Sequence, residues 1–174
     1  MQTCWVEIPI STQSGEFIAR YSEKGLAELN FPGRGRAGLP LGKAAAPRRP
    51  TAPNVSASIK KWHRATQFAL EEILAGNAPK KLPPLDWDGA TEFQKSVWRQ
   101  LLKISSGETK SYGEIAEGIG KPKAVRAVGG ACGANPIPVL VPCHRVLAAN
   151  KKLGGFSGGL DWKRQLLAKE GIQL

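Results

Sequence analysis

A thiol and an imidazole stand next to each other late in the chain, as Cys143 and His144 in the run Pro142-Cys143-His144-Arg145-Val146. A cysteine attacks as its thiolate, and a free thiol with a pKa of about 8.5 is only slightly ionised at neutral pH. A nucleophilic Cys143 therefore needs a base, and His144 is the nearest candidate. Because adjacent side chains of an extended chain point to opposite faces, the proton is expected to pass through a bridging water. The alternative is a buried structural thiol beside a structural histidine.

An imidazole that acts as a base is usually oriented by a third group. The only acids after His144 are Asp161 and Glu170, and Glu170, near the C-terminus, is a candidate for this role. These residues by themselves are also compatible with a cysteine hydrolase, which would turn over repeatedly. The other two cysteines, Cys4 and Cys132, are interpreted as small buried apolar residues.

The composition is that of a soluble globular protein. The chain has 174 residues, of which 41% are hydrophobic and 22% charged, and its length allows one domain or two small ones. Three cysteines without metal-clip spacing argue against a disulfide framework and a structural zinc site, so no metal and no cofactor are predicted. Reduced thiols, the lack of a signal peptide and the lack of a membrane-spanning run predict a cytoplasmic protein, or a nuclear one in a eukaryote.

The charge of the chain favours an anionic partner. Lys and Arg outnumber Asp and Glu by 25 to 14, which gives a net charge of +11 and a pI near 9.9. Such a balance is typical of proteins that bind nucleic acid. The alternative is that the charge serves solubility alone. A membrane surface is not predicted as a partner, because the sequence shows no basic amphipathic helix.

The first half of the chain has the pattern of a small α/β domain, residues 1–84. Alternating apolar residues from Cys4 to Phe31 predict a three-stranded antiparallel sheet, with turns at Gln13-Ser14-Gly15 and Lys24-Gly25. A helix with Phe68 on its apolar side is expected from about Ser56 to Ala75 and should cover one face of the sheet. Between them, residues 32–54 predict a flexible basic loop. The Pro-rich stretch 79–89, with a short strand at Trp87, predicts the domain boundary.

The second half, residues 85–174, is predicted to be mostly helical. Capping boxes at Thr91 to Gln94 and at Ser111 to Glu114 predict helix starts. The first helix should run from about Glu92 to Ile104, and the second should stop at Gly120. A third is expected from Lys123 to about Ala134, so the last two resemble a helix-turn-helix. A β-prone run, Val139-Leu140-Val141, leads to Cys143, and a Gly-rich loop, 152–159, precedes a final helix from about Leu160 to Lys169.

Several short stretches in this half carry a resemblance to a known family. They are Phe93-Gln94 with Val97-Trp98, Gly107-Glu108-Thr109 with Ser111-Tyr112-Gly113, Gly120-Lys121-Pro122, Arg126-Ala127-Val128-Gly129, Asn135-Pro136, Pro142 to Val146, and Gly154 to Leu160. In order and spacing, Thr91 to Gly171 resembles the catalytic and DNA-binding domain of the O6-alkylguanine-DNA alkyltransferases, also called methylated-DNA-protein-cysteine methyltransferases. Residues 1–84 fit the N-terminal α/β domain of that family, a ribonuclease H-like domain, in shape.

The resemblance implies direct-reversal DNA repair. Such proteins bind duplex DNA through a helix-turn-helix in the minor groove, flip out O6-alkylguanine, and transfer its alkyl group irreversibly to the cysteine. By this match, Cys143 is the acceptor, His144 the base acting through water, and Glu170 its orienting acid. Asn135 would hold the turn before the thiol, and Tyr112 would rotate the target phosphate and give a proton to the departing guanine. O4-alkylthymine is a further expected substrate, and the protein is expected to be a monomer.

The same resemblance assigns the residues that meet DNA and the flipped base. Arg126 would fill the gap in the base stack, and further DNA contacts are expected from Tyr112, Lys123, Ala124 and Gln94. The base pocket would be lined by Val146, Phe156, Ser157 and Lys163. Phe156 stands where the family commonly has tyrosine, and Ser105-Ser106 where it often has a proline. Relatives with tryptophan in place of the cysteine only sense alkylated DNA; a non-catalytic sensor is thus the alternative, and Cys143 argues against it.

Overall fold

The first element of the protein is a three-stranded antiparallel meander, as predicted. The computed structural model describes residues 5–33 and 55–173. Strands β1 (Val6–Thr12), β2 (Gly15–Tyr21) and β3 (Leu26–Asn30) pair in the order β1-β2-β3. Thr12 pairs with Gly15 across a two-residue turn, and Gly15 has a φ of 114°, which favours glycine. Cys4 and nearly all of the predicted basic loop lie outside the described residues.

Helix α1 (Ala57–Leu74) covers one face of this sheet, which confirms the predicted packing. The Ser56 side chain caps the helix by accepting from the Ile59 N–H at 3.2 Å. The buried Tyr21 hydroxyl of β2 lies 3.2 Å from Nδ1 of His63 on the helix. The prediction for Phe68 was wrong, because this side chain is 55% exposed. The helical repeat turns it away from the buried stripe of Ile59, Thr66, Leu70 and Ile73.

The Pro-rich stretch 79–89 is attached to the meander. The Leu26 N–H donates to the Pro84 carbonyl at 2.8 Å, and the Asp86 N–H donates to the Leu26 carbonyl at 2.7 Å. This makes a parallel bridge between Leu26 and Leu85, so the extended contact lies two residues before the strand predicted at Trp87. Trp87 packs instead on Trp98, with 5.5 Å between ring centroids.

Four further helices follow. They are α2 (Glu92–Leu101), α3 (Tyr112–Gly118), α4 (Val125–Gly133) and α5 (Leu160–Lys169). Both predicted capping boxes are formed, and α2 and α3 begin directly after them. Helix α2 ends three residues before Ile104, where the chain tightens so that the Ile104 N–H donates to the Leu101 carbonyl. Helix α4 begins at Val125, two residues later than predicted, because Ala124 closes a turn with Lys121.

Two short strands that were not predicted join the helical segments. Strand β4 (Lys110–Ser111) pairs in parallel with β5 (Val146–Leu147), which begins directly after Arg145. The β-prone run at Val139–Val141 does not form a strand, because Val139 and Leu140 lie in a turn and Val141 makes an isolated bridge to Pro138. Val139 has a φ of 74°, a strained conformation for a β-branched residue, and all three residues of the run are buried.

One hydrophobic cluster runs through both halves of the described chain. Phe31 at the end of the meander packs on Phe156 and on Trp162 of α5, with ring centroids 5.6 and 5.0 Å apart. The Leu29 N–H donates to the Pro136 carbonyl at 2.9 Å. The division into domains 1–84 and 85–174 stays a prediction. No helix within residues 5–33 and 55–173 is long and apolar enough to span a membrane.

Candidate active site

Asn135 connects the end of α4 to the thiol. Its side chain is almost completely buried, and Nδ2 donates to the Val141 carbonyl at 2.9 Å and to Cys143 Sγ at 3.1 Å. Its Oδ1 accepts from the Ile137 N–H at 3.0 Å. One amide therefore holds both sides of the turn that contains Val139. Asn135 therefore lies between the end of α4 and the thiol, at the turn that the resemblance assigns to it.

Replacing Asn135 by Ala should destabilise the protein and misplace the thiol. The change leaves a buried N–H and a buried carbonyl without their amide partner, which costs about 2–4 kcal/mol. We expect urea denaturation to show this loss, together with a fall in the rate of any reaction at Cys143. As a matched control, Asn77→Ala removes an amide from an exposed position after α1 and should change neither quantity. A fully stable Asn135→Ala protein would contradict the role of this amide.

Cys143, His144 and Arg145 form one turn of 3-10 helix, so the expected extended geometry was wrong. The His144 ring is fully buried, and its Nε2 lies 3.0 Å from Glu170 Oε1. A carboxylate can only accept, so Nε2 carries the hydrogen. Nδ1 has no hydrogen-bond partner in the described part of the chain. No hydrogen bond joins the imidazole to the Cys143 thiol among these residues, and transfer through a bridging water stays a prediction.

Glu170, at the C-terminal end of α5, is bound by two side chains. Besides His144, Arg145 donates from Nε to both carboxylate oxygens at 3.1 and 3.0 Å, and from Nη2 to Oε1 at 2.8 Å. Burial alone would raise the pKa of Glu170, but the hydrogen bonds from His144 and Arg145 and the positive charge of Arg145 hold it at about 2. The carboxylate is therefore ionised at every physiological pH.

The thiol and the imidazole are both neutral at rest. Burial raises the pKa of Cys143 to about 11, against the opposing effects of the Asn135 hydrogen bond and the Lys163 charge. Burial lowers the pKa of His144, and the Arg145 and Lys163 charges lower it further, while Glu170 raises it. A thiol with so little thiolate reacts only if a base takes its proton. Nδ1 of His144 is the imidazole nitrogen with a free lone pair for that purpose.

Lys163 ties the Gly-rich loop to the strand that follows the thiol. This lysine of α5 is fully buried, and its Nζ donates to the carbonyls of Val146 at 2.6 Å, Leu153, and Gly155 at 3.5 Å. Burial lowers the pKa of Lys163 to about 8. It was predicted as a pocket residue, and the structure places its ammonium behind the loop, bound to backbone.

The loop carries two of the predicted pocket residues, Phe156 and Ser157, and Tyr112 of α3 packs against it. The Phe156 ring lies edge-on to the His144 ring, with 6.3 Å between centroids. Ser157 has a buried Oγ without a partner in the described chain. The Tyr112 hydroxyl lies so close to Gly154 that a Cβ there would sit 2.9 Å away, and Gly154 has a φ of 64°. Burial raises the pKa of Tyr112, so its hydroxyl keeps its proton.

The residues predicted to bind DNA lie on the helices that lead to this site. Arg126 is exposed in the first turn of α4, Lys123 is exposed just before it, and Ala124 is half-buried at the N-cap position. Gln94 is half-buried at the start of α2, where its Oε1 accepts from the Thr91 N–H at 2.9 Å. Trp98 of α2 donates to the Ala131 carbonyl of α4 at 2.8 Å, which fixes these helices to each other.

Comparisons with known proteins give the same assignment for most of the chain. The family described as 6-O-methylguanine DNA methyltransferase, DNA binding domain, matches residues 92–172. A methylated-DNA–protein-cysteine methyltransferase of Methanosarcina barkeri is 39% identical over 169 residues, which cover 95% of this chain and 94% of the relative. The chain belongs to the methylated-DNA–protein-cysteine methyltransferase family. A relative of the same name from Methanosarcina acetivorans is 51% identical over 112 residues, 64% of this chain and 71% of the relative.

Solved structures of this methyltransferase family share the fold. The crystal structure of Mycobacterium tuberculosis O6-methylguanine methyltransferase has a TM-score of 0.70 and 35% identity, and the match covers 96% of this chain and 93% of that one. A structure of Mycobacterium tuberculosis OGT in complex with DNA has a TM-score of 0.68 and 36% identity, with 93% and 90% covered. The similarity therefore includes the N-terminal meander as well as the helical half.

Two features of this methyltransferase site were missed in the sequence. Arg145 was noticed only as part of the motif, although it binds Glu170 and also donates from Nη1 to the Ile104 carbonyl at 2.6 Å. Lys163 was predicted to line the pocket, but its hydrogen bonds to backbone carbonyls were not predicted. The signal for Arg145 was its position beside the candidate base, but a role could be assigned only once Glu170 and the end of α2 were known to surround it.

Proposed function

We propose that this protein repairs DNA by direct reversal, moving the alkyl group of O6-alkylguanine to Cys143. The observation that carries the proposal is the Cys143 thiol, held by Asn135 beside a neutral His144 whose Nε2 is bound to an ionised Glu170. Family membership gives the reaction its class. A non-catalytic sensor is not favoured, because the acceptor position holds a cysteine with a base next to it.

The reaction exchanges one bond for another. His144 takes the thiol proton on Nδ1, the Cys143 sulfur attacks the alkyl carbon, and the S–C bond forms as the bond from that carbon to O6 breaks. The departing guanine takes up one proton, for which the protonated Tyr112 hydroxyl is the proposed donor. Glu170 stabilises the imidazolium that forms on His144. The product is a thioether, which has no hydrolysable bond, so each protein molecule acts once.

Duplex DNA that contains the damaged base is the proposed partner. Helices α3 and α4 would act as a helix-turn-helix, with Arg126 filling the stack and Tyr112, Lys123, Ala124 and Gln94 near the backbone. The flipped base would lie against Val146, Phe156 and Ser157, where the buried Ser157 hydroxyl is available as a donor. We further propose O4-alkylthymine as a second substrate, and action as a monomer in the cytoplasm or nucleus.

Stoichiometry tests the proposed function directly. The protein is incubated with an excess of duplex containing O6-methylguanine, with the same duplex carrying guanine as the control, and intact mass is followed with time. We expect a plateau at one added methyl group per protein and no change in the control. Release of product beyond one equivalent would indicate a hydrolase, and the absence of any adduct would contradict alkyl transfer.

Arg126→Ala should slow repair more in a fully paired duplex than at a mismatch. Unstacking a paired base costs a few kcal/mol, which an inserted side chain offsets, and a mismatched base costs less to flip. We expect a loss of about tenfold or more in the paired duplex and a smaller one at the mismatch. Single-turnover rates on the two duplexes measure this difference.

Lys123→Ala is the matched control, because it removes an exposed cation just before the same helix. It should weaken binding to both duplexes equally. The slope of log K against log salt concentration should fall by about one, as expected for the loss of one phosphate contact. Equal slowing of Arg126→Ala on both duplexes would contradict its role in flipping.

A further inference from the structure

Arg145 is a buried cation that has no part in the chemical steps described above. Its side chain is 8% exposed and lies between the end of α2 and the end of α5. On one side Nη1 donates to the Ile104 carbonyl at 2.6 Å. On the other side Nε and Nη2 hold the Glu170 carboxylate in a two-pronged contact. The guanidinium plane is therefore fixed by groups from two separate elements.

This contact places several donors on Glu170 Oε1, the oxygen that also binds the His144 ring. Glu170 Oε1 accepts from His144 Nε2 at 3.0 Å and from Nε and Nη2 of Arg145 at 3.1 and 2.8 Å. Oε2 accepts from Arg145 Nε and, at 3.4 Å, from the Gly107 N–H. A buried carboxylate without such donors takes up a proton readily. A protonated carboxyl could donate to the imidazole, which would favour the opposite tautomer.

We propose that Arg145 is a positioning residue, which keeps Glu170 fixed and ionised so that its oxygens can only accept hydrogen bonds. Glu170 then holds the hydrogen of the neutral His144 ring on Nε2, and the Nδ1 lone pair stays available for the Cys143 proton. The inference rests on the proposed function for its meaning in catalysis. It extends that function by one residue that touches neither the substrate nor the sulfur. Arg145 acts on the reaction only through Glu170 and His144.

The charges around His144 determine the expected pH response. The ring is faced by Glu170 and Lys163 of α5 and by Arg145 of its own turn. The two cations disfavour the imidazolium, and Glu170 favours it. Replacing Arg145 by Met removes one cation and keeps a similar volume. The imidazole should then become protonated at a higher pH, and less of it would be available as a base.

The first test is the pH profile of single-turnover methyl transfer for wild type, Arg145→Met and Arg145→Lys. We expect the single-turnover rate of Arg145→Met to fall about tenfold or more near neutral pH, and the acid limb of its pH profile to move upward by about one pH unit. Arg145→Lys keeps the positive charge but loses the two-pronged contact with the Glu170 carboxylate. Its acid limb should therefore stay within about 0.3 pH unit of the wild-type limb, while its rate falls several-fold. Equal slowing of Arg145→Met at every pH, or a wild-type rate in Arg145→Lys, would overturn the proposal.

A second readout does not depend on activity. The chain has two histidines, so ¹⁵N-labelled imidazole signals can be assigned, with His63 as the internal control. Wild type should show His144 with its hydrogen on Nε2, and Arg145→Met should show a mixture of tautomers or a raised pKa, while His63 stays the same. An unchanged His144 signal would overturn the inference. Wild-type protein that transfers no methyl group would instead overturn the proposed function, and the signals would still test Arg145. If Arg145→Met does not fold, the rate of Arg145→Lys decides: a several-fold loss supports the proposal, and a wild-type rate overturns it.

Discussion

Replacing Cys143 by Ser should abolish methyl transfer, by more than about 10³-fold in the single-turnover rate. A serine hydroxyl is a far weaker nucleophile than a thiolate, and the neutral His144 would have to take a proton from a much weaker acid. Intact mass after incubation with O6-methylguanine duplex measures the result. Binding to the duplex should persist, because Cys143 is 4% exposed and the exposed Arg126 of α4 and Lys123 just before it are untouched.

Cys132→Ser is the control for this experiment. Cys132 is also a buried thiol, and burial raises its pKa to about 12, but neither Asn135 nor His144 binds its sulfur. The Cys132→Ser protein should therefore still accept one methyl group, and peptide mapping should place that group on Cys143. A methyl group found on Cys132 in the wild-type protein would contradict the assignment of the acceptor.

Replacing Glu170 by Gln should have the second largest effect. The amide keeps the shape but loses the charge, so the imidazolium formed on His144 loses its stabilisation and Arg145 stays buried without a counter-ion. We expect the single-turnover rate to fall about 10²-fold or more. Breaking a buried pair from one side costs on the order of 3–5 kcal/mol, which chemical denaturation would measure. Glu71→Gln, an exposed charge change on α1, should leave both quantities unchanged.

The stability difference between wild type and Glu170→Gln should depend on pH in a defined direction. The pKa of Glu170 is about 2 in the folded protein and 4.5 in its usual state, so the folded state favours the ionised form. Its contribution to the free energy of unfolding is complete above pH about 4.5 and is lost as the pH falls toward 2. Wild type and variant should therefore converge at acid pH. A gap that stays constant from pH 7 to pH 2 would contradict the ion pair as its source.

The helix starts could be predicted because their signals are local. A capping box is satisfied by residues within four positions of each other, and those at Thr91 and Ser111 place the beginnings of α2 and α3 correctly. The end of α2 could not be predicted in the same way. Apolar spacing continues through Leu102 to Ile104, and Ile104 is indeed buried, but it reaches the core from a tighter turn.

The turn before the thiol shows where local propensity fails. Three β-prone residues, Val139 to Val141, predict a strand, and Val139 takes a positive φ instead. Tertiary contacts override the preference, because Asn135 holds the Val141 carbonyl and the run is buried. In the site, residue types alone predicted Cys143 and His144 as the reactive pair and gave Glu170 as a candidate for the third group, and the resemblance assigned Glu170 that role. Lys163 donates to backbone carbonyls, which every residue has, and Arg145 joins Glu170 to the Ile104 carbonyl, which lies far away in the sequence. Only the fold could reveal these partners.

The order in which parts of the site form follows from how far its contacts reach along the chain. Helices α2, α3 and α4 are consecutive, whereas Arg145 reaches a carbonyl 41 residues earlier and Glu170 accepts from an N–H 63 residues earlier. Contacts between distant residues lose more chain entropy on closing and so form later. Refolding followed by both DNA binding and methyl transfer would separate the two events. We therefore expect the helices proposed to meet DNA to assemble before Arg145 and Glu170 complete the surroundings of His144, so that a refolding molecule would bind DNA before it becomes reactive.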